Sequence, residues 1–102
     1  MDLEQAREVI REQPRAVLAT IRGDGSPQMS PVLVAVDDDG RVLMSTRETA
    51  LKVRNLRRDA RMWLCVLPDG FFGRWIQVEG RAEIVSLPDA MDGLVDYYRR
   101  IS

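Results

Sequence analysis

Histidine is absent from this sequence of 102 residues, and cysteine and lysine occur once each. Without histidine there is no Ser-His-Asp triad, no His-Cys dyad, no imidazole-ligated zinc and no imidazole acid/base pair. Cys65 alone excludes an intrachain disulfide, a CxxC redox pair and a cysteine-rich metal centre, so no metal site is expected. Long apolar runs are missing as well. No stretch approaches the roughly 20 residues of a membrane span. The charged start MDLEQAREVI lacks the apolar segment of a signal peptide, which makes the cytoplasm the expected location. Nor is there an excess of either charge: 15 Lys+Arg stand against 16 Asp+Glu. That balance argues against a general nucleic-acid binder. An enzyme with this inventory must work with carboxylates, a lone thiol, hydroxyls or a borrowed cofactor.

What is present is an ordinary globular composition, 45% hydrophobic and 30% charged, over a length that suits one domain, residues 1–102. Every basic residue except Lys52 is arginine, and with abundant Ala, Val, Asp and Gly this matches a high-GC bacterial coding bias. Asp2 and Gln5 form a capping-box start, and Leu3, Ala6, Val9 and Ile10 recur at helical spacing up to Pro14. Three short strands follow, Ala16 to Ile21, Pro27 to Val36 and Arg41 to Ser45, with glycine turns at 23–25 and 37–40 between them. A helix over about Thr49 to Arg58 shows the stripe Ala50, Val53, Leu56 and Ala60. Met62 to Leu67 and Trp75 to Val85 complete five strands. Pro88-Asp89 opens a last helix with Met91, Leu94, Val95 and Tyr98 on its apolar face. The expected fold is mainly β, a small antiparallel barrel with peripheral helices, because closure removes exposed edges. Gly80 marks a place where a barrel strand coils.

The segment Ser45-Thr-Arg-Glu-Thr-Ala-Leu-Lys52 carries the most chemistry. It crosses from a strand end into a helix start with three hydroxyls and the only lysine. Helix N-termini expose unpaired N–H groups and partial positive charge, which favour phosphate. The alternative is that Thr46 or Thr49 caps the helix while Lys52 is solvated. Arg54, Arg57, Arg58 and Arg61 fall on one flank, away from Lys52. Nucleic acid is one reading of that flank; pairing with Asp59 and nearby Glu, and with the helix dipole, is the stronger one. Trp75, with Phe71 and Phe72, either stacks on a planar ring or fills a dimer interface. Cys65, in an apolar strand with no basic neighbour, reads as a buried hydrophobe. The acids Asp37 to Asp39 read as solvated turn residues.

The order of motifs resembles the pyridoxamine 5′-phosphate oxidase-like superfamily, the flavin-binding split β-barrels. It is most similar to the actinobacterial branch that uses the deazaflavin coenzyme F420. The resemblance rests on Val17-Leu-Ala-Thr-Ile-Arg22 with Gly25-x-Pro27-Gln-x-Ser30-Pro31-Val32. Ser45-Thr46 follows, with Lys52-x-Arg54-Asn55-Leu56-Arg-Arg-Asp59, and then Gly73-Arg-Trp-Ile-Gln-Val-Glu-Gly80-Arg-Ala. It runs from about Arg15 to Ser86.

The resemblance implies a homodimer with two cofactor sites at the subunit interface. Lys52, Ser45, Thr46 and Thr49 would hold the cofactor phosphate, with Arg54 a further contact. Gln28 to Val32 would pass along the tricyclic ring, Ser30, Pro31 and Val32 contributing backbone contacts. Arg74, Trp75 and Gln77 would approach from the partner chain. The implied activity is hydride transfer from F420, or else FMN, to a small planar or conjugated substrate. Such a cofactor does its own chemistry, so no protein-borne catalytic residue is needed. A dimer that carries or stores the cofactor without turnover is the alternative, and a structural dimer whose arginines bind a partner is a third. The family ordinarily continues with more helix and a further strand, so the chain is expected to be naturally short or truncated. The carboxy-terminal Arg/His signature of true pyridoxine phosphate oxidases is absent, which argues against vitamin B6 oxidation.

Overall fold

From Arg15 to Ile21 every second side chain, Ala16, Leu18 and Thr20, is buried while those between are not. This period of two makes the segment a strand with one face on a core. The structure is a computed structural model that describes residues 2–47, 49–70 and 72–101. Its elements in chain order are α1 (Leu3–Glu12), β1 (Arg15–Ile21), β2 (Pro27–Leu33), β3 (Ala35–Val36), β4 (Val42–Leu43), α2 (Leu51–Arg58), β5 (Arg61–Val66), β6 (Ile76–Arg81) and α3 (Met91–Ile101).

Four strands form one antiparallel sheet in the order β2-β1-β5-β6, and β3-β4 form a second. The register runs Ala16↔Val32 to Thr20↔Gln28 on one side of β1 and Ala16↔Val66 to Ala19↔Trp63 on the other. Beyond β5, Val66 pairs with Ile76 and Met62 with Gly80. Leu18, Leu64, Val66, Val34 and Val36 meet on the inner face, closed by Val9 and Ile10 of α1. Burying each such aliphatic side chain contributes roughly 1.5–3 kcal/mol. The capping box of α1 forms as the sequence predicts, Asp2 accepting from the Gln5 N–H at 2.8 Å and Gln5 accepting from the Asp2 N–H at 2.9 Å.

Several expectations are corrected. The strand read as Pro27 to Val36 is two, divided at Val34, whose N–H donates to the Pro14 carbonyl at 2.8 Å as the chain passes from one sheet to the other. The strand expected over Arg41 to Ser45 contracts to β4. The longest strand expected, Trp75 to Val85, contracts to β6, with Trp75 in the loop before it. Arg61 is not on the helix with Arg54, Arg57 and Arg58; it opens β5. The apolar face read on the last helix is also turned outward: Met91, Val95 and Tyr98 are exposed and Tyr97 is buried. The reason is polar. The Tyr97 hydroxyl donates to the Leu33 carbonyl at 2.7 Å, and Arg100 donates to the Val36 carbonyl at 2.9 Å, so α3 docks by these two bonds.

Candidate functional site

Helix α2 begins at Leu51, two residues later than the sequence suggests, with Ala50 as its N-cap. Neither Thr46 nor Thr49 is the cap, and no side chain caps the helix. Its first turn holds no acidic residue. The Ala50 carbonyl accepts from the Val53 and Arg54 N–H groups, while Leu51 and Lys52 precede the first intrahelical bonds. Lys52 is half-buried, and among the described residues its ammonium has no ion pair. Thr46, Thr49 and Arg54 are exposed, and Ser45 is half-buried. An uncapped N-terminus, an unpaired ammonium and no competing carboxylate in the first turn fit an anionic phosphate.

Helical geometry puts Lys52 on the inward arc of α2. At about 100° per residue, Leu56, Val53 and Asn55 flank it, while Arg54 and Arg57 start from the outer side and Arg58 reaches back along the helix to Asn55. Val53 and Asn55 are buried. Asn55 is the surprise, a polar side chain only 1% exposed. Its Nδ2 donates to Thr20 Oγ1 at 3.1 Å, and its Oδ1 accepts from Arg58 at 3.0 Å. Thr20, also 1% exposed, donates to Gln28 Oε1 at 3.3 Å. Arg58 completes the chain by donating to the Ile21 carbonyl at 2.7 Å. So Gln28 of β2, Thr20 of β1 and α2 are joined by one line of hydrogen bonds. Sequence reasoning missed Thr20 and Asn55. The signal was available in outline: each is a polar residue at an inward position of an otherwise apolar period.

The remaining candidates sit elsewhere on the sheet. β2 is an edge strand, so part of its backbone hydrogen-bonding capacity faces away from β1. The side chain of Ser30, opposite Leu18, turns inward, and its Oγ is buried without a partner. Pro31 and Val32 line a shallow hollow of about 400 Å³ with Val17, Leu33 and Leu67. Tyr97 reaches this end of β2 too, its hydroxyl donating to the Leu33 carbonyl. Burial pushes the Tyr97 phenol above its ordinary range.

Arg74 and Trp75 border a second hollow of about 360 Å³ with Val9, Pro68, Gly73 and Ile76. Trp75 is 62% exposed, and Phe72 is exposed; Phe71 lies outside the described residues. Arg74 is already engaged. It forms a two-pronged pair with Asp69 and reaches Glu12 at 3.3 Å. The Asp69 carboxylate, above all by its hydrogen bonds, raises the Arg74 pKa. Register puts Ile76 in the row of Ala16, four residues along β1 from Thr20 and Gln28, roughly 13 Å at 3.3 Å per residue. Gln77 is exposed, opposite Cys65 on the outer face. The chain therefore groups Gln28 with α2, Pro31 with Val32, and Arg74 with Trp75, without bringing the three groups together.

Two other readings change. Asp37 is buried, not solvated, and accepts from the Asp39 and Arg41 N–H groups and the Arg41 guanidinium. Cys65 is half-buried on the outer face of the sheet, between Val17 and Gln77. Among the described residues no three Cys, Asp or Glu side chains gather to hold a metal ion, and no helix is long and apolar enough to cross a membrane.

Residues 3–102 match the family model described as pyridoxamine 5′-phosphate oxidase. Among solved structures, a conserved hypothetical protein of Mycobacterium tuberculosis is 31% identical with a TM-score of 0.75, over 89% of this chain and 57% of its own. A heme binding protein from Mycobacterium smegmatis is 20% identical with a TM-score of 0.77, over 97% and 43%. A heme storage protein from Vibrio cholerae is 19% identical with a TM-score of 0.68, over 93% and 71%. At those lower identities the likeness is one of fold. The chain thus spans little more than half of the first of these proteins and less than half of the second.

Proposed function

This chain belongs to the pyridoxamine 5′-phosphate oxidase family, and from that premise we propose that it is a homodimeric, cytoplasmic oxidoreductase that binds F420, or else FMN, and reduces a small planar or conjugated substrate. One observation carries the reading: Lys52 stands half-buried at the uncapped start of α2, with no ion pair among the described residues. A lysine in that position is poised for an anion, and helix N–H groups beside it add to the attraction. Ser45, Thr46 and Thr49 supply hydroxyls on the approach to the helix, with Arg54 on its outer side. The free edge of β2 at Ser30, Pro31 and Val32, with Gln28 at its start, offers backbone groups along which a planar ring lies.

When bound, a flavin or deazaflavin supplies the hydride chemistry. The protein's own part is to hold the phosphate, to set the ring against β2 and to keep water from its face. Arg74, Trp75 and Gln77 of one chain lie too far from its own Gln28 to join that face, so they serve the site of a second copy. The outer face of the four-stranded sheet supports such a dimer. Met29, Pro31 and Leu33 are exposed there, beside half-buried Val17, Ala19, Trp63 and Cys65. The hollow beside Trp75 falls in the size range of small-molecule sites.

A dimer that carries the cofactor without turnover is the second reading, favoured by the engagement of Arg74 with Asp69 and Glu12, which leaves it little freedom to meet a substrate. Heme as the cargo would need an axial ligand other than histidine, which this sequence lacks. Fluorescence titration with F420 and with FMN tests the proposal. Binding tighter than about 100 μM, equivalent to roughly 5 kcal/mol, is expected for one of them, weakened by about 1–3 kcal/mol in Lys52→Ala, the loss of a charged hydrogen bond. Binding of neither cofactor, or an unchanged affinity in Lys52→Ala, defeats it. Turnover of the reduced cofactor then separates enzyme from carrier.

A further inference from the structure

We infer that the buried Thr20–Asn55 pair is a positioning device for the phosphate end of the site: through it β1 sets the place of α2, and with it Lys52. The inference rests on the assignment of Lys52 to the phosphate. Both side chains are 1% exposed, in a protein whose core cluster is built of Val, Ile, Leu, Ala and Met. A buried amide and hydroxyl are no better for stability than packed apolar groups, and they become costly once unpaired. What they add is direction. The donors run in one sense, Arg58 to Asn55, Asn55 to Thr20 and Thr20 to Gln28, so that each group is satisfied only at one rotation of the helix.

Helix α2 needs such a constraint. It has eight residues and no side-chain cap, so its first turn is not fixed from its own end. Lys52 lies one turn before Asn55 and about 60° around the axis, on the same inward arc. A slip of α2 at Asn55 is carried straight to Lys52. At the other end the chain reaches Gln28, at the start of the strand proposed to line the ring. The β1–β2 ladder already fixes Gln28, so α2 is the end whose place depends on the hydrogen-bond chain, and Arg58 ties it to the Ile21 carbonyl at 2.7 Å.

The probe is the difference between FMN and riboflavin, which lacks the phosphate, or between F420 and its phosphate-free deazaflavin if that pair binds. Thr20→Val, close in shape to threonine, leaves the Asn55 amide without its acceptor, and Thr20→Ser restores it. Arg58→Met, at an exposed residue, tests the same chain without touching the core. Thr20→Val is expected to weaken the phosphate-bearing ligand about three- to tenfold, the size of one hydrogen bond, and to leave the phosphate-free ligand unchanged. Arg58→Met should do so in the same sense and Thr20→Ser should bind like wild type. In Lys52→Ala, adding Thr20→Val should cost nothing further, because the lysine it positions is gone. Equal losses for both ligands, additive losses with Lys52→Ala, or no loss while Lys52→Ala discriminates would each overturn the positioning role alone. A Lys52→Ala variant that still distinguishes the two ligands as wild type does would bring down the phosphate assignment, and the inference with it.

Discussion

The hydroxyl of Tyr97 donates to the carbonyl of Leu33 at 2.7 Å, fastening the last helix to the last residue of the edge strand β2. Tyr97 is 6% exposed, so its ring is packed away from solvent. Removing the hydroxyl in Tyr97→Phe leaves the carbonyl unsatisfied and should cost about 1 kcal/mol. The bond also braces the end of β2 beside Val32. We therefore expect Tyr97→Phe to lower the melting temperature by several degrees, about what 1 kcal/mol does in a chain of this size. A melting temperature equal to wild type would show that α3 is held by Arg100 and packing alone.

Gly40 answers a different constraint. Its φ is +82°, and a Cβ there would lie 2.8 Å from the Arg7 guanidinium, whose Nε donates to the Gly40 carbonyl at 2.9 Å. Gly25 shares the positive φ, at +88°, but its Cβ would meet open space. Alanine at 25 should cost about 1 kcal/mol for the backbone alone. Alanine at 40 adds the displaced Arg7 contact and should cost about 1–2 kcal/mol more. Equal denaturation midpoints for the two variants would remove the link between α1 and the β3-β4 turn from the account.

Acid should weaken the fold over a window to which Asp37 and Asp59 contribute, alongside Asp24 and Asp69, whose carboxyls are also held low by their hydrogen bonds to Ser26 and Arg74. Hydrogen bonds from the Arg61 side chain and N–H hold the Asp59 carboxyl down at about 2. For Asp37 burial pushes upward, but the Arg41 N–H and guanidinium outweigh it and leave the carboxyl below its ordinary 3.8. A carboxyl depressed in the folded state favours folding while it is ionised. That contribution is complete above the unfolded value near 4 and is lost as pH falls toward about 2, through the folded value. Asp59→Asn should be less stable at neutral pH and show a flatter stability profile between these limits. A profile of wild-type slope would mean that other carboxylates govern acid unfolding.

Residue pattern exposed much of this architecture in advance, and its failures share a cause. The apolar run Ala16 to Ile21 and the glycine turns at Gly25 and Gly40 located β1 and the start of β2, and the capping box located α1. Single-sequence periodicity also read Met91, Val95 and Tyr98 as an inward stripe, because it weighs apolar side chains and not the hydrogen bonds of Tyr97 and Arg100 that orient α3. The same blindness hid Asn55 and Thr20, whose value lies in a partner 35 residues away. The place of Lys52 in the first turn of α2 was legible because a lone lysine at a helix start is visible locally. The spread of Gln28, Pro31 and Trp75 across the sheet was not, since strand register decides it and register is a long-range property.

That spread leads to the last expectation. The outer face of the four-stranded sheet carries Met29 at 66% and Leu33 at 43% exposure, flanked by Pro31, Val17 and Ala19. Side chains on this face do not contribute to the core, so charges placed there should leave the monomer folded. If a second copy covers the face, wild type should sediment as a dimer, and Met29→Glu with Leu33→Glu should sediment as a monomer with an unchanged far-ultraviolet circular dichroism spectrum. Cofactor binding should fall with dimerisation, because the proposed site takes Arg74 and Trp75 from a second chain. A monomeric variant that binds the cofactor as wild type does would put the whole site within one protomer and refute the shared arrangement.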